Sequence, residues 1–314
     1  METEPVLSLV VPCYNEEEAV PIFYREVCKV LDTMKLSGTE AADFVFVDDG
    51  SKDRTLSVIR HLAAEDIRVH YVSFSRNFGK EAALYAGLQK ACGQYTAVMD
   101  CDLQDPPSLL PEMLEAVKTG AYDCAATRRI TRKNEPIVRS FFSRLFYKLM
   151  KKITVTAPVD GARDFRLMTK QYKEAVLSLR EKNRFSKGLF PWVGFKTKYF
   201  AYENIERVAG KTKWSFHKLC IYAIDGMIGF STKPLTFAAV MGVLSMFIAF
   251  ALIIFIVVRK LMFGDPVQGW ASTVCIIFFL SGVQLFSVGI LGLYISKIYT
   301  EVKNRPLYIV KEEG

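Results

Sequence analysis

Tyr95-Thr96-Ala97-Val98-Met99-Asp100-Cys101-Asp102-Leu103-Gln104-Asp105-Pro106-Pro107 is an apolar run that stops at three carboxylates within six residues and is closed by two prolines. In an α/β protein that pattern marks the carboxyl end of a strand, where open sheets place their ligands. Asp100 and Asp102, one residue apart, can lean over one cation, and hard oxygen donors suit Mg²⁺ or Mn²⁺ carrying phosphates. No cluster of His and Cys accompanies them that would suit zinc. A lone Asp-x-Asp reads as a solvated turn. This one is not alone: Asp48-Asp49 closes a second strand candidate at Phe44 to Val47. Two acidic strand ends in one α/β domain favour a phosphate and metal site.

Working outward, Val6 to Val11 reads as a buried parallel strand, followed by the turn Pro12-Cys13-Tyr14-Asn15-Glu16-Glu17. Asn15 or Glu16 is expected to cap a helix whose apolar positions, Ile22, Phe23, Val27, Val30 and Leu31, recur at helical spacing. After Asp48-Asp49, Gly50 permits a tight turn, and Ser51 or Asp53 is expected to cap the helix through Leu56 and Ile59. Val69 to Phe74 is a third strand, leading through Arg76 and Lys80 into a helix from Glu81 to Cys92. Both cations flank a strand-to-helix turn and read either as phosphate partners or as surface charges. A helix from Pro107 or Ser108 to Gly120 and a fifth strand at Tyr122 to Ala126 follow.

Beyond them the texture changes. Thr127 to Asn134 reads as a basic loop, and Ile137 to Met150 as an amphipathic helix for a core or a membrane interface. Asp164 stands between Arg163 and Arg166, which should keep it ionised, to orient an acceptor, to act as a base, or to form a structural ion pair. Tyr172 to Leu179 looks helical, and Lys196 to Tyr199 reads as a strand or hairpin. Asn183 to Trp192, rich in aromatics and breakers, reads as a binding or lid loop. Arg207 to Trp214 is a basic segment suited to closing over a pyrophosphate or to binding headgroups.

The 314 residues carry a net charge of +8 and a hydrophobic content of 51%, but the average hides a division. Leu235 to Val258 and Trp270 to Ser296 hold no charge, and each exceeds the ~20 residues a bilayer-crossing helix needs. Neither is N-terminal, so neither reads as a signal peptide. Phe216 to Phe230 is expected to lie in the membrane interface, with Pro234 starting the first span. Lys211, Lys213, Lys218 and Lys233 precede the spans, and Lys297, Lys303, Arg305 and Lys311 follow them, which makes that side cytoplasmic. Gly282, Gly289 and Gly292 would allow close helix packing, between subunits among other places. Seven cysteines without a C-x-x-C pair argue for reduced thiols, and only three histidines argue against a His-based mechanism. No basic-aromatic repeat points to nucleic acid.

The ordered set Val11-Pro12-Cys13-Tyr14-Asn15-Glu16, Asp48-Asp49-Gly50-Ser51, Arg76-Asn77-Phe78-Gly79-Lys80, Asp100 to Pro107, Asp164-Phe165-Arg166-Leu167, Asn183-Arg184-Phe185 and Gly210 to Trp214 is specific as a whole. It resembles the family 2 glycosyltransferases that move a sugar from a nucleotide donor to a polyprenyl phosphate, the bacterial bactoprenol glucosyltransferase type, related to dolichol-phosphate mannose synthase. Cys101 stands where that family usually has Ala, and Arg163 precedes Asp164 where it often has Gly.

The resemblance implies a Rossmann-like GT-A catalytic domain (1–214) facing the cytoplasm. An interfacial amphipathic helix (215–233) and a two-helix membrane anchor with a short tail (234–314) would follow it. It implies inverting transfer of one sugar, glucose first, from a UDP-sugar to undecaprenyl phosphate, with Mg²⁺ or Mn²⁺. Pro12, Tyr14, Glu16, Asp48, Asp49 and Lys80 would serve the donor, and Asp100, Asp102 and Gln104 the cation. Arg128, Lys133, Arg207, Lys211 and Lys213 would meet the acceptor phosphate or the departing nucleotide. Asp164 is the implied catalytic carboxylate, with Asp102, Gln104 and Asp105 beside it. N-acetylglucosamine, galactose or an amino sugar are alternative donor sugars, and a processive polysaccharide synthase or a non-enzymatic membrane module are alternative classes. A homotetramer in the bacterial plasma membrane, working with a flippase and a downstream glycosyltransferase, completes the expectation.

Overall fold

The computed structural model describes residues 5–36, 38, 41–130, 159–203, 224–263 and 269–314. Four apolar segments form the parallel heart of a sheet: β1 (Leu7–Cys13), β2 (Ala42–Asp48), β3 (Val69–Phe74) and β4 (Tyr95–Val98). Between them run α1 (Ala19–Thr33), α2 (Thr55–Glu65) and α3 (Lys80–Lys90), and α4 (Leu110–Lys118) follows β4. The chain then adds β5 (Cys124–Arg129), β6 (Ala162–Thr169), α5 (Lys170–Ser178), α6 (Ser186–Trp192) and β7 (Thr197–Tyr202). Two long helices, α7 (Lys233–Phe263) and α8 (Trp270–Val302), precede a last strand, β8 (Val310–Glu313).

The strand order is β7-β5-β6-β4-β1-β2-β3-β8. Pairings among β3, β2, β1 and β4 are parallel, whereas β6 runs antiparallel to β4 and β5, and β8 antiparallel to β3. The sheet is therefore open and mixed. It changes winding direction between β1 and β4, the crevice where such sheets bind ligands at the carboxyl ends of their strands. Each face is covered. On one, Phe23, Val27 and Leu31 of α1 and Met113 and Leu114 of α4 pack on Leu9, Phe44, Phe46 and Phe165. On the other, Ala83, Ala86 and Leu88 of α3 join Tyr172, Val176 and Phe190 over Val10, Val47 and Val98. Gly87 lets α3 sit low, since a Cβ there would lie 2.2 Å from Val10 Cγ1. That depth sets the height of Lys80 and Glu81 at the helix's first turn.

Several local expectations change. β5 continues through Arg129 into the expected basic loop because β7 pairs along it as far as Arg129↔Tyr202. The expected lid at Asn183 to Trp192 is helical over 186–192, with Ser186, Leu189 and Phe190 buried. The N-cap positions of α1 and α2 are Glu18 and Arg54, without side-chain caps of their own, and of the two residues expected to cap α2 it is Asp53, not Ser51, whose Oδ1 accepts from the Thr55 N–H at 3.0 Å. Instead Ser51 Oγ accepts from the Asn15 N–H at 2.9 Å, joining two loops. Residues 131–158 and 204–223, which hold Lys133, Arg207, Lys211, Lys213, the amphipathic Ile137 to Met150 stretch and the first part of the expected interfacial helix, lie outside the described residues.

The chain divides into two units, 1–223 with 305–314, and 224–304. The residues after α8, read from the sequence as a tail, thus belong to the globular unit and supply its edge strand. In the second unit α7 and α8 are both long and apolar enough to cross a bilayer. Phe237 packs edge-on against Phe286 at 6.4 Å, and Tyr294 Oη donates to the Ser231 carbonyl at 2.6 Å, so the helices run antiparallel. Lys297 pairs with Asp225 in helical residues 224–230 at 2.7 Å. A Cβ on Gly282, Gly289 or Gly292 would meet nothing within 4 Å among the described residues, so these glycines are not what joins α7 to α8.

Candidate active site

The carboxyl ends of β1 and β2 are tied into one rigid edge. The Ser73 hydroxyl donates to Asp48 Oδ2 at 2.8 Å and the Ser51 N–H to Asp48 Oδ1 at 3.1 Å. Asp49 is held by the backbone: the Phe78 N–H reaches Oδ1 at 2.6 Å, and the Gly79 N–H reaches Oδ1 at 3.1 Å and Oδ2 at 3.0 Å. Burial pushes the Asp49 carboxyl up to about 6, against the downward pull of those N–H bonds. Gly50 makes the approach possible. Its φ is +64°, and a Cβ would lie 2.3 Å from the Arg76 carbonyl carbon. Asn15, with φ 51°, turns the loop after β1 so that its Oδ1 accepts from the Lys52 N–H at 2.8 Å. The Glu16 N–H donates to Thr55 Oγ1 at 2.8 Å, and Tyr14 and Pro12 stand half-buried on the same loop.

The β4 edge meets this one across the crevice. β4 pairs with β6 through Val98↔Arg166, and continuing that register by two residues sets Asp164 opposite Asp100. Lys80, brought over by α3, fills the space between them. Its Nζ lies 2.7 Å from Asp100 Oδ1 and 2.5 Å from Asp164 Oδ2. Burial would raise the Asp164 carboxyl, but the Lys80 ammonium, with Lys187 and Arg166 behind it, holds it well below the usual carboxylate range. Burial likewise disfavours the Lys80 charge, and Asp100 and Asp164 more than restore it. The sequence placed Asp164 between two arginines. Its direct partner is instead a lysine 84 residues away.

Asp102 is buried, and its Oδ1 accepts from the Gln104 N–H at 3.1 Å. Leu103 between them has φ 54°, a left-handed conformation costly for a branched residue, so the loop is held by its surroundings rather than by preference. Those surroundings are Arg163 and Asp105. Arg163 Nε donates to Asp105 Oδ1 at 3.2 Å and Nη2 to Gln104 Oε1 at 3.3 Å, and the Tyr202 hydroxyl also donates to Asp105 Oδ1. Burial raises the Asp105 carboxyl despite Arg163, and its Oδ2 is buried without a partner. Asp105, given a catalytic place by resemblance, is held at the end of this loop by Arg163 and Tyr202. Arg163, where the resemblance has a small residue, is the loop's brace.

Arg128 lies apart from this group, its Nε donating to the Asp160 carbonyl at 2.9 Å. Glu81 was not singled out by the sequence. It accepts from the Ser186 N–H at 3.1 Å and from the Ser186 hydroxyl, pinning α6 to the start of α3. The Cys13 thiol is pushed well up by a hydrogen bond with the Cys101 thiol and by burial.

A divalent cation fits the chemistry of the donor set. Among the described residues no three His, Cys, Asp or Glu side chains converge into a complete metal cage. Two carboxylates at a strand end are what a hard cation uses when substrate phosphates and water complete its shell.

A winding reversal lined by acidic strand ends, with a charge cluster bridging them, stands where open α/β sheets take their ligands. The model of glycosyl transferase family 2 matches residues 8–176, and the chain belongs to that family; it is a glycosyltransferase. It is 42% identical to the SfII prophage-derived bactoprenol glucosyl transferase of Shigella flexneri, over 98% of this chain and 97% of that one. It is 40% identical to the prophage bactoprenol glucosyl transferase homolog of Escherichia coli (strain K12), over 97% of this chain and 98% of that one. Among solved structures it is similar to the mannosyltransferase PcManGT from Pyrobaculum calidifontis in complex with GDP-Man and Mn²⁺. That match has 16% identity, a TM-score of 0.45, and covers 97% of this chain and 77% of the other.

Proposed function

We propose that this chain transfers one glucose from UDP-glucose to undecaprenyl phosphate with inversion, releasing UDP. The observation that carries the reading is the Lys80–Asp100–Asp164 cluster at the sheet's winding reversal, in a chain that continues into two bilayer-length helices. End-to-end similarity to bactoprenol glucosyl transferases supports the acceptor and the sugar. Kinship to dolichol-phosphate mannose synthase rests on the motif resemblance.

Asp48 and Asp49, fixed by hydroxyl and backbone donors, hold the nucleoside with the Pro12 to Glu16 loop beside them. Asp100 and Asp102, with Gln104 adjacent, would hold Mg²⁺ or Mn²⁺. Such a cation, bound to the diphosphate, takes up charge that develops on departing UDP. An acceptor phosphate oxygen attacks the anomeric carbon as the bond from that carbon to the UDP oxygen breaks. The acceptor is already an anion, so no proton must be removed. Asp164, engaged by Lys80, then orients the reacting groups and leaves rate to positioning and charge neutralisation. Arg128, with Lys133, Arg207, Lys211 and Lys213, supplies cations for the acceptor phosphate or the leaving nucleotide.

The chain leaves the globular unit before α7 and rejoins it after α8. A crossing made by these helices is therefore even-numbered, and the basic residues on both flanks support a cytoplasmic catalytic unit in the bacterial plasma membrane. The open faces at Gly282, Gly289 and Gly292 leave room for a neighbouring copy, and a homotetramer is our reading of the assembly. The test incubates detergent-solubilised protein with undecaprenyl phosphate, Mn²⁺ or Mg²⁺ and a panel of nucleotide sugars, with mass spectrometry of the lipid. One hexose added from UDP-glucose is the expected product. Addition only from another donor would overturn the sugar assignment, and no addition from any donor would overturn the activity.

A further inference from the structure

β8 continues the sheet beyond β3. Its pairing is antiparallel, Val72↔Glu313, Ser73↔Glu312 and Phe74↔Val310, with a register shift between Ser73 and Phe74. Backbone bonds extend the pairing at both ends: Tyr71 N–H to the Gly314 carbonyl at 2.7 Å, and Ser75 N–H to the Ile309 carbonyl at 3.0 Å. Side chains fasten the strand from outside. Arg60 grips Glu312 with two nitrogens, one at 2.7 Å, and Lys90 pairs with Glu313 at 2.6 Å. Tyr308 stacks on Phe74 at 4.7 Å with an 18° interplanar angle, and its hydroxyl donates to Gln89 Oε1 at 2.8 Å. Phe74 in turn meets Phe78 edge-on at 5.8 Å.

What these contacts hold is the far end of β3, and that end leads to the groups that grip Asp48, the last residue of β2, and Asp49 just after it. Ser73 binds Asp48, and the backbone of Phe78 and Gly79 binds Asp49. Without β8 and Tyr308, β3 would be an edge strand with one face of its last ring uncovered, and the 75–79 segment follows directly from it. We propose that the C-terminal strand and Tyr308 are positioning elements for the donor nucleoside, acting through Phe74 and the 75–79 segment on Asp48 and Asp49. The proposal rests on the reading of that acidic pair as the donor site.

The test is hydrogen exchange on the full-length protein in detergent, with and without saturating UDP. Coupling is reciprocal, so UDP should slow exchange at Ser75 and Gly314, across the β3–β8 seam, as well as at Phe78 and Gly79. Protection of Phe78 and Gly79 alone overturns the coupling and spares the donor reading. Protection of neither overturns the donor reading and the proposal with it. Kinetics supply the second arm. Tyr308→Ala should raise the KM for the nucleotide sugar by about three- to ten-fold, the range a lost aromatic pair maps to, with kcat within about two-fold. Tyr308→Phe, which keeps the stack, should stay near wild type. A Tyr308→Ala protein with lowered Tm and unchanged donor KM would make the tail merely structural.

Discussion

Replacing Lys80 by Met tests whether a tethered ammonium stands where a divalent cation is to act. Its Nζ lies 2.7 Å from Asp100 and 2.5 Å from Asp164, so the two carboxylate oxygens are within about 5 Å of each other. Two unit charges at that spacing repel by about 3 kcal/mol at an effective dielectric of 20. The Lys80 side chain is 37% exposed, so solvent screening reduces this, and a loss of about 1–3 kcal/mol of stability is expected. The same unneutralised charge should draw a cation. Lys80→Met is expected to bind Mn²⁺ without nucleotide about ten-fold more tightly than wild type, since each 1.4 kcal/mol is a factor of ten. Transfer should nonetheless fall by about a hundred-fold, because Asp100 and Asp164 lose the ammonium that holds them in place. The assay is titration of free Mn²⁺ by its electron paramagnetic resonance signal, run beside thermal unfolding and transfer. Unchanged or weaker Mn²⁺ binding in a folded Lys80→Met protein would refute the competition between ammonium and metal.

Three further outcomes follow from the site. Asp102→Asn keeps an acceptor for the Gln104 N–H, so it should leave Tm nearly unchanged while reducing transfer by about a hundred-fold or more and weakening Mn²⁺ binding; full activity would remove Asp102 from the metal set. Arg163→Met leaves the Asp105 carboxylate, 2% exposed, without its counter-charge, a loss of about 3–5 kcal/mol or roughly 10 °C in Tm. Adding Asp105→Asn should recover part of it, and an unshifted Tm in the single variant would sink the bracing role. Asp49 has a folded pKa of about 6, above its unfolded value, so the folded state keeps the proton longer and stability falls as pH rises from about 4 to about 6. Asp49→Asn lacks that loss and should gain Tm relative to wild type between pH 4.5 and 7; equal pH slopes would refute the assignment.

The parallel half of the sheet was legible because each strand is an apolar run with a polar stop, and burial on both faces leaves no other reading for such runs. Asp48, Asp49, Asp100 and Asp102 were legible for the same reason, as acids at the ends of those runs. β6 was not: in Ala162-Arg163-Asp164-Phe165-Arg166-Leu167 only Phe165 and Leu167 serve the core, and the charged positions between them serve the site. β8 was not either, since Val310-Lys311-Glu312-Glu313 has no apolar face and is held by an edge and by Arg60 and Lys90. The helix at 186–192 hid behind Gly188 and Pro191, because its first turn is anchored by Glu81, about a hundred residues earlier.

The partnerships divide along the same line. A residue's chemistry is local, but its partner is chosen by strand order. The antiparallel insertion of β6 beside β4 sets Asp164 opposite Asp100, and only then has Lys80 two carboxylates to bridge. The same insertion brings Arg163 to Asp105 and Gln104. A one-residue slip of β6 would turn Phe165 out of the core and Asp164 away from Lys80 together. Stability and the candidate chemistry are therefore fixed by one register, which is why the buried Phe165 and Leu167 belong in any account of how Asp164 is positioned.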